Sequence, residues 1–378
     1  MRFELIDPFE NFEIVEHFFT KVSKDSSHGY FTSWGWISTW LKSLPKSEKL
    51  YFVVAFLNDK PISVFFLSQK RTRLYGILPT KTFYVNSTGN PIWDQLYIEY
   101  NSILVIEGEE TQIPSLLSYI SELSWDELII SGADQRFIEK FKFTANPEGI
   151  YFFIDEEANS FFVDLKIVRE NNMDFLSLLS ANRRSQIRRS IKQYETTGGK
   201  IEVKAAQNVE EASFMFEQLV VFHQQEWLSR GLTGAFSNKY LYQFHCDLIS
   251  SRFGSGEIQL LHIFNKDMTI GYLYNFVYEG RVLLYQSGFN YQAGTANAYR
   301  PGVVSHYYAI VYNASQNMLK YDFLAGDDAY KRGLSTGSEK MYWLRLVKSP
   351  YRLFLMNFSR FLKEKTVAVA EYFKKRQD

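Results

Sequence analysis

The stretch from Glu257 to Lys331 constrains the fold more than any other part of the chain. Three runs rich in aliphatic and aromatic residues, Glu257–Asn265, Met268–Tyr278 and Arg281–Phe289, are separated by Asn265-Lys266-Asp267 and Glu279-Gly280, residues suited to tight turns. The spacing predicts an antiparallel three-strand meander. A polar loop, Asn290–Tyr299, then leads into Arg300-Pro301-Gly302-Val303-Val304 and an apolar helical run to Met318. Proline suits the first turn of a helix, and the free N–H groups that remain at that end can hold an anion. Tyr321–Leu324 reads as a short buried strand, after which Gly326 lets Tyr330 and Lys331 face back. On spacing alone, an ordinary turn before a packed helix is the favoured account of Pro-Gly. Gly254-Ser255-Gly256 precedes a strand rather than a helix and reads as a tight loop.

Upstream, apolar spacing predicts helices over Glu10–Lys24 and Thr32–Leu44, the second capped by Ser33 and stopped by Pro45. A hairpin follows, Leu50–Leu57 with Ile62–Gln69, then strands at Lys81–Tyr84 and Trp125–Gly132 around a helix at Ile113–Glu122. The mixed polar and aromatic stretch Asp94–Asn101 reads as a solvated loop without a catalytic role. Asp155-Glu156-Glu157-Ala158-Asn159-Ser160 reads as a polar break between two aromatic strands, and 378 residues exceed most single cores. The expected division is therefore residues 1–156, residues 157–348, and an amphipathic helix over 349–378. In the second unit Met173–Thr196 is expected to be helical, with Leu176, Leu179, Ile187 and Ile191 on one stripe and Arg183, Arg184, Arg188, Arg189 and Lys192 on the other faces. Helices over Val209–Leu228 and Asn238–Ser251 and a strand at Met341–Val347 complete it. The last helix carries Leu353, Leu355, Phe358, Phe361 and Leu362 among Arg352, Arg360, Lys363 and Lys365. It either packs on its own protein or makes peripheral contact with a membrane.

Lys plus Arg and Asp plus Glu number 42 each, so no global field draws the protein to DNA, and any anion site is local. A single cysteine, Cys246, excludes an internal disulfide framework and a multi-cysteine zinc site, and six scattered histidines suggest no metal. The N-terminus lacks the apolar core of a secretory signal, and the cytoplasm is the expected location.

Six segments occur in order at compatible spacing. They are Asn182-Arg183-Arg184-Ser185-Gln186-Ile187-Arg188-Arg189, Trp227-Leu228-Ser229-Arg230-Gly231, Gln286-Ser287-Gly288-Phe289-Asn290, Arg300-Pro301-Gly302, Tyr321-Asp322-Phe323-Leu324-Ala325-Gly326 and Tyr330-Lys331. Together they resemble the GNAT-superfamily acetyltransferase domain of the cellulose-biosynthesis CelD type, itself similar to the FemABX transferases. Ser33-Trp34-Gly35-Trp36-Ile37-Ser38-Thr39-Trp40 resembles the N-terminal half of the same family. The resemblance implies an α/β (α+β) fold of two GNAT-like domains, each a mixed, mainly antiparallel sheet flanked by helices. It also implies a splayed sheet holding acetyl-CoA or another acyl-CoA, and a small-molecule or glycan acceptor.

Direct acyl transfer needs a held donor, a proton acceptor and oxyanion stabilisation. The donor is assigned to Gly302, Val303 and Val304 with Arg300, and oxyanion or phosphate stabilisation to Lys331. Asp322 either orients Lys331, acts on the acceptor proton, or is a buried structural group. His223 and Glu226 are a candidate base pair or core and capping residues. Gln286 and Tyr330 are expected to place the acceptor, and Arg184 with Arg188 to form a positive wall. The family has glycine where this chain has Asn317, and an aromatic residue where it has Gly333-Leu334. Two rivals remain: a FemABX-like enzyme using aminoacyl-tRNA, held by the arginine-rich helix, and a non-catalytic scaffold of polysaccharide synthesis.

Overall fold

The computed structural model describes residues 1–144, 149–266, 268–293 and 299–374, and the side chains of 140–144, 293 and 363–374 are outside the description. Asp267 of the expected turn, residues 294–298 of the expected loop and the Lys363 and Lys365 side chains thus lie outside the described residues. The strands are β1 (Arg2–Ile6), β2 (Leu50–Leu57), β3 (Lys60–Leu74), β4 (Leu78–Val85), β5 (Leu104–Val105), β6 (Glu127–Asp134), β7 (Tyr151–Asp164), β8 (Glu202–Ala205), β9 (Ile258–Phe264), β10 (Thr269–Tyr278), β11 (Arg281–Phe289), β12 (Lys320–Ala325) and β13 (Gly337–Val347). The helices are α1 (Phe12–Ser23), α2 (Trp34–Ser43), α3 (Ile113–Glu122), α4 (Gln135–Thr144), α5 (Leu165–Glu170), α6 (Ala181–Gly198), α7 (Val209–Ser229), α8 (Lys239–Arg252), α9 (Pro301–Ser315), α10 (Ala329–Leu334) and α11 (Pro350–Lys374).

One mixed sheet runs β1-β2-β3-β4-β6-β13-β7-β12-β11-β10-β9-β8, with β5 beside β3. Among the described strands the pairs are antiparallel except β4 with β6 and β11 with β12. Successive residues of a strand point to opposite faces. Phe52, Val54 and Phe56 accordingly enter one core, shared with Trp36, Tyr274 and Phe276, while Val53 and Ala55 enter a second with Leu128 and Leu346. A third, around Val163, Ile187, Val304 and Tyr321, underlies the second half.

The polar stretch Asp155–Ser160 is continuous strand within β7, not a break. Its charges are matched across the ladder: Arg345 Nε lies 3.0 Å from Asp155, and Lys340 pairs with Glu157. Opposite charges on neighbouring strands support a strand whose composition alone reads as loop. The expected helix from Met173 begins later. Asn172 and Met173 have positive φ, Phe175–Leu178 forms a 3-10 turn, and Ser180 caps α6 by accepting the Arg183 N–H at 3.3 Å. Asn317, where the family has glycine, has φ of 60° just past α9, a left-handed position asparagine tolerates.

One glycine fixes the approach of a loop to the sheet. Gly132 in β6 has φ of +68°, and a Cβ there would lie 2.5 Å from the Ile98 carbonyl oxygen. Gly132→Ala is expected to cost about 1–3 kcal/mol, from backbone strain and displacement of the 97–101 segment. Urea denaturation measures it, and a loss under about 0.5 kcal/mol contradicts the packing described.

Candidate active site

The parallel pairing of β11 with β12 runs from Arg281 opposite Lys320 to Leu283 opposite Asp322 and stops there. β11 continues to Phe289 alongside β10, while β12 shifts register against β7 between Asp322 and Ala325, with Leu324 at φ of 60°. Leucine in the left-handed region is uncommon, and such outliers concentrate at functional sites. The strands therefore part. A cavity of about 230 Å³ fills the wedge, lined by Leu284, Gln286, Phe323, Leu324, Lys331 and Glu99 among others.

Asp322 sits at the vertex, fully buried, and lines none of the cavities described in this subsection. Its carboxylate accepts hydrogen bonds from Tyr100 Oη (2.7 Å), Ser160 Oγ (2.9 Å), Arg281 Nη2 (3.0 Å) and the Leu324 N–H (2.9 Å). Residues from four separate segments are thus bolted where the sheet divides. All four bonds tie Asp322 to the fold at this point, the arrangement expected of a buried structural carboxylate.

A larger cavity of about 870 Å³ opens beside the wedge, between α7, the end of β11 and the head of α9. His223, Glu226, Gln286, Arg300, Gly302, Val303 and Tyr330 all line it, so most of the sequence-selected residues are brought together. Gln286 and Tyr330 line both cavities. At the head of α9 Arg300 is itself left-handed, with φ of 44°, and provides no side-chain cap. Among the described residues the N–H groups of Gly302 and Val303 have no acceptor, whereas Val304 gives its N–H to the Arg300 carbonyl at 3.2 Å and is buried. Of the three amides, those of 302 and 303 are thus available among the described residues, and that of 304 is not.

Positive charge gathers at the same helix end. Arg300 Nη1 donates to Gln186 Oε1 at 3.0 Å, and Arg183 Nη1 to the same oxygen at 3.4 Å. Burial lowers the Arg183 pKa, and the neighbouring Arg300 charge adds to the effect. Two guanidiniums held together beside a helix N-terminus make a site for a polyanion. The arginine-rich helix thus brings Arg183 to the helix end through Gln186; none of Arg183, Arg184 and Arg188 lines any of these cavities. Gly333, where the family has an aromatic residue nearby, leaves room for the Arg183 guanidinium, which a Cβ would meet at 2.3 Å.

Lys331 is buried in α10 and donates to the Ala325 carbonyl at 2.6 Å. The N–H of the same Ala325 donates to Glu99 Oε2 at 2.8 Å. Burial raises the Glu99 pKa to about 7, against the opposing effects of that hydrogen bond and of Lys331. Burial lowers the Lys331 pKa, with Glu99 and Asp328 opposing. A carboxylate poised near neutral pH beside a buried ammonium is suited to proton abstraction. Glu99 belongs to the stretch that reads as a solvated loop. The available signal was a lone carboxylate between Ile98 and Tyr100 in an aromatic run; what buries it is the left-handed backbone at Tyr97 and Tyr100, which periodicity does not show.

The candidate base pair on α7 is otherwise engaged. Glu226 accepts from Arg230 Nε at 2.7 Å, one turn on, and His223 is buried with Nδ1 3.2 Å from Gln224 Oε1 and its pKa lowered by burial. Both still face the large cavity.

Beyond Glu99 lies a third cavity of about 310 Å³, walled by Trp36, Trp40, Trp93, Trp343 and Tyr84. Tyr97 and Glu99 line both this pocket and the wedge, so the three cavities form a series through the splayed sheet with Glu99 between the last two. Among the described residues no group of His, Cys, Asp and Glu could hold a metal ion.

Residues 181–332 match the family model described as an acetyltransferase (GNAT) domain. No curated protein matches the sequence. Among solved structures, a conserved protein of unknown function from Bacteroides thetaiotaomicron is similar at TM-score 0.53 and 9% identity, over 92% of this chain and 100% of that one. FemX is similar at TM-score 0.56 and 10% identity, over 90% and 97% of the two chains. The C-terminal domain of a protein provisionally assigned as a lysylphosphatidylglycerol synthetase, from Agrobacterium fabrum, is similar at TM-score 0.51 and 10% identity, over 92% and 96%. At these identities the likeness is one of fold. The chain has the mixed α/β fold of a GNAT acyltransferase, and its residues 181–332 match the acetyltransferase (GNAT) domain.

Proposed function

We propose that the protein transfers an acyl group, acetyl in the simplest case, from a CoA thioester to an amine or hydroxyl of a sugar or polysaccharide precursor. The observation that carries this reading is the head of α9, whose 302 and 303 amides have no acceptor among the described residues, flanked by Arg183 and Arg300 and opening into a wedge where Glu99 and Lys331 bind opposite ends of Ala325. The pyrophosphate of the donor lies on the 302 and 303 amides and the two guanidiniums, and the thioester enters the wedge. The acceptor comes from the tryptophan-walled side. Glu99 takes the acceptor's proton as the acceptor atom bonds to the thioester carbon; the carbon–sulfur bond then breaks, and the departing CoA thiolate takes up a proton, which Glu99 gives back directly or through solvent to regain its carboxylate. Lys331 supplies positive potential for the oxyanion, while Gln286 and Tyr330 orient the reacting groups.

Direct transfer is favoured over an acyl-enzyme because Cys246 is half-buried on α8, has its thiol pKa raised by burial, and lines none of the three cavities. The sugar acceptor rests on the CelD-type resemblance, and the cytoplasm is the compartment that reading requires. A two-unit division near residue 156 within the shared sheet is part of the same proposal. The test is thiol release from acetyl-CoA over a panel of amino sugars and simple amines. Turnover with at least one, lost in Glu99→Gln, supports the reading; no turnover with any acceptor by protein that binds acetyl-CoA counts against it.

A second reading has one observation behind it. Arg188, Arg189 and Lys192 are exposed on α6 and carry no salt bridge among the described residues, as a surface for an aminoacyl-tRNA donor of the FemABX kind would require. It predicts tRNA binding that weakens steeply with salt, measured by filter retention.

A further inference from the structure

Two apolar features that line none of the cleft's cavities project into solvent. The β3–β4 hairpin turns at Tyr75-Gly76-Ile77, where Tyr75 has φ of 52° and Ile77 is 81% exposed. Tight hairpin turns favour asparagine, aspartate and glycine; an exposed tyrosine and isoleucine there are costly in water. The second feature is α11. Its inner side packs Leu353 and Met356 with Leu74 and Leu78 of the same hairpin, and Arg352 donates to Thr80 Oγ1 at 2.8 Å and to the Pro79 carbonyl at 3.0 Å. Its outer side presents Tyr351, Phe354, Phe358, Phe361 and Leu362, each about half exposed or more, at the 3–4-residue spacing of one helix face.

Charge accompanies both. Residues 70–81 contain Lys70, Arg71, Arg73 and Lys81, residues 348–362 contain Lys348, Arg352 and Arg360, and neither segment has an acidic residue, in a chain whose net charge is zero. Lys70 and Arg352 are ion-paired, with Glu48 and with Asp126 and Glu127. Lys348 and Arg360 donate to backbone carbonyls and lie over the Trp125 and Phe153 rings, and Lys81 lies over Phe83, whereas Arg71 and Arg73 on the hairpin are exposed and form no salt bridge among the described residues. A second copy of the chain would bring like-charged segments face to face. We propose that this end of the molecule docks on an anionic lipid surface, with the hairpin tip and the outer face of α11 entering the headgroup layer and Arg71 and Arg73 meeting lipid phosphates. No helix among the described residues is long and apolar enough to cross a membrane, so the attachment is peripheral. It stands or falls independently of the acyl-transfer reading.

The test is flotation of the full chain with vesicles of phosphatidylcholine alone or with roughly a third phosphatidylglycerol. Binding is expected to the anionic vesicles, to weaken at about 1 M salt, and to fall at least about tenfold in Ile77→Asp/Phe358→Asp. Arg71→Glu/Arg73→Glu should lose the preference for anionic over neutral lipid. Unchanged far-UV circular dichroism establishes that each variant is folded. Wild-type protein that ignores anionic vesicles, or an Ile77→Asp/Phe358→Asp variant that binds them as well as wild type, overturns the proposal. So does a concentration-dependent dimer in light scattering that Phe358→Asp dissolves, which would assign the face to a second copy.

Discussion

Glu99→Gln lowers kcat by about a hundred- to ten-thousand-fold while leaving acetyl-CoA binding intact, because it removes the proton acceptor and nothing that touches the donor phosphates. The wild-type profile carries the signature. Burial raises the Glu99 pKa to about 7, so the active, ionised form is lost below that point. In thiol-release assays kcat/KM should rise about tenfold per pH unit up to about 7 and then level off, and the residual rate of Glu99→Gln should lack this limb. The same shift predicts the opposite sign for stability. A carboxyl whose folded-state pKa lies above its unfolded value favours the folded state while it stays protonated, and that advantage is lost as pH rises through about 7. Glutamine cannot ionise and still accepts from the Ala325 N–H. The Tm of Glu99→Gln should therefore equal or exceed wild type at about pH 8, and the gap should close toward about pH 5. A variant that keeps wild-type turnover with the acidic limb intact removes Glu99 from the mechanism.

Asp322→Ala is the most damaging substitution for the fold, at about 3–5 kcal/mol of a stability that is about 5–15 kcal/mol for ordinary domains. It strips the shared acceptor from Tyr100, Ser160, Arg281 and the Leu324 N–H at the point where β11 and β12 part. Among the described residues the Arg281 guanidinium then keeps only Glu339, at 3.6 Å, as a carboxylate partner. Urea unfolding followed by tryptophan fluorescence measures the loss, and a value under about 1 kcal/mol contradicts the vertex role.

Much of the second half was legible because its signals are local. The meander rests on turn residues between alternating runs, and the start of α9 rests on Pro301 after a polar loop; both elements form where spacing placed them. What was not legible depends on partners distant in sequence. β7 runs through Asp155–Ser160 because Arg345 and Lys340 of β13 neutralise it from nearly two hundred residues away. Composition marks Asp322 as chemistry-bearing; only Tyr100, Ser160 and Arg281 reveal that its carboxylate is fully occupied. Arg183, rather than Arg184 or Arg188, reaches the head of α9, since helical rotation relative to a neighbour is set by packing and not by the sequence of α6 alone. Glu99 is the largest gap. It comes from the first half of the chain and enters the site of the second, and no periodicity within Asp94–Asn101 reports the close approach to Gly132 that seats it.

The central claim is that the head of α9 and its two arginines hold the anionic donor. Isothermal titration with acetyl-CoA, on wild type and on Arg300→Glu, tests it most directly. The account predicts micromolar binding by wild type and at least about tenfold weaker binding by the variant, since reversing this charge both removes a charge-assisted contact and repels the pyrophosphate. Folded wild-type protein that binds no acetyl-CoA, or an Arg300→Glu variant that binds it equally well, contradicts the account.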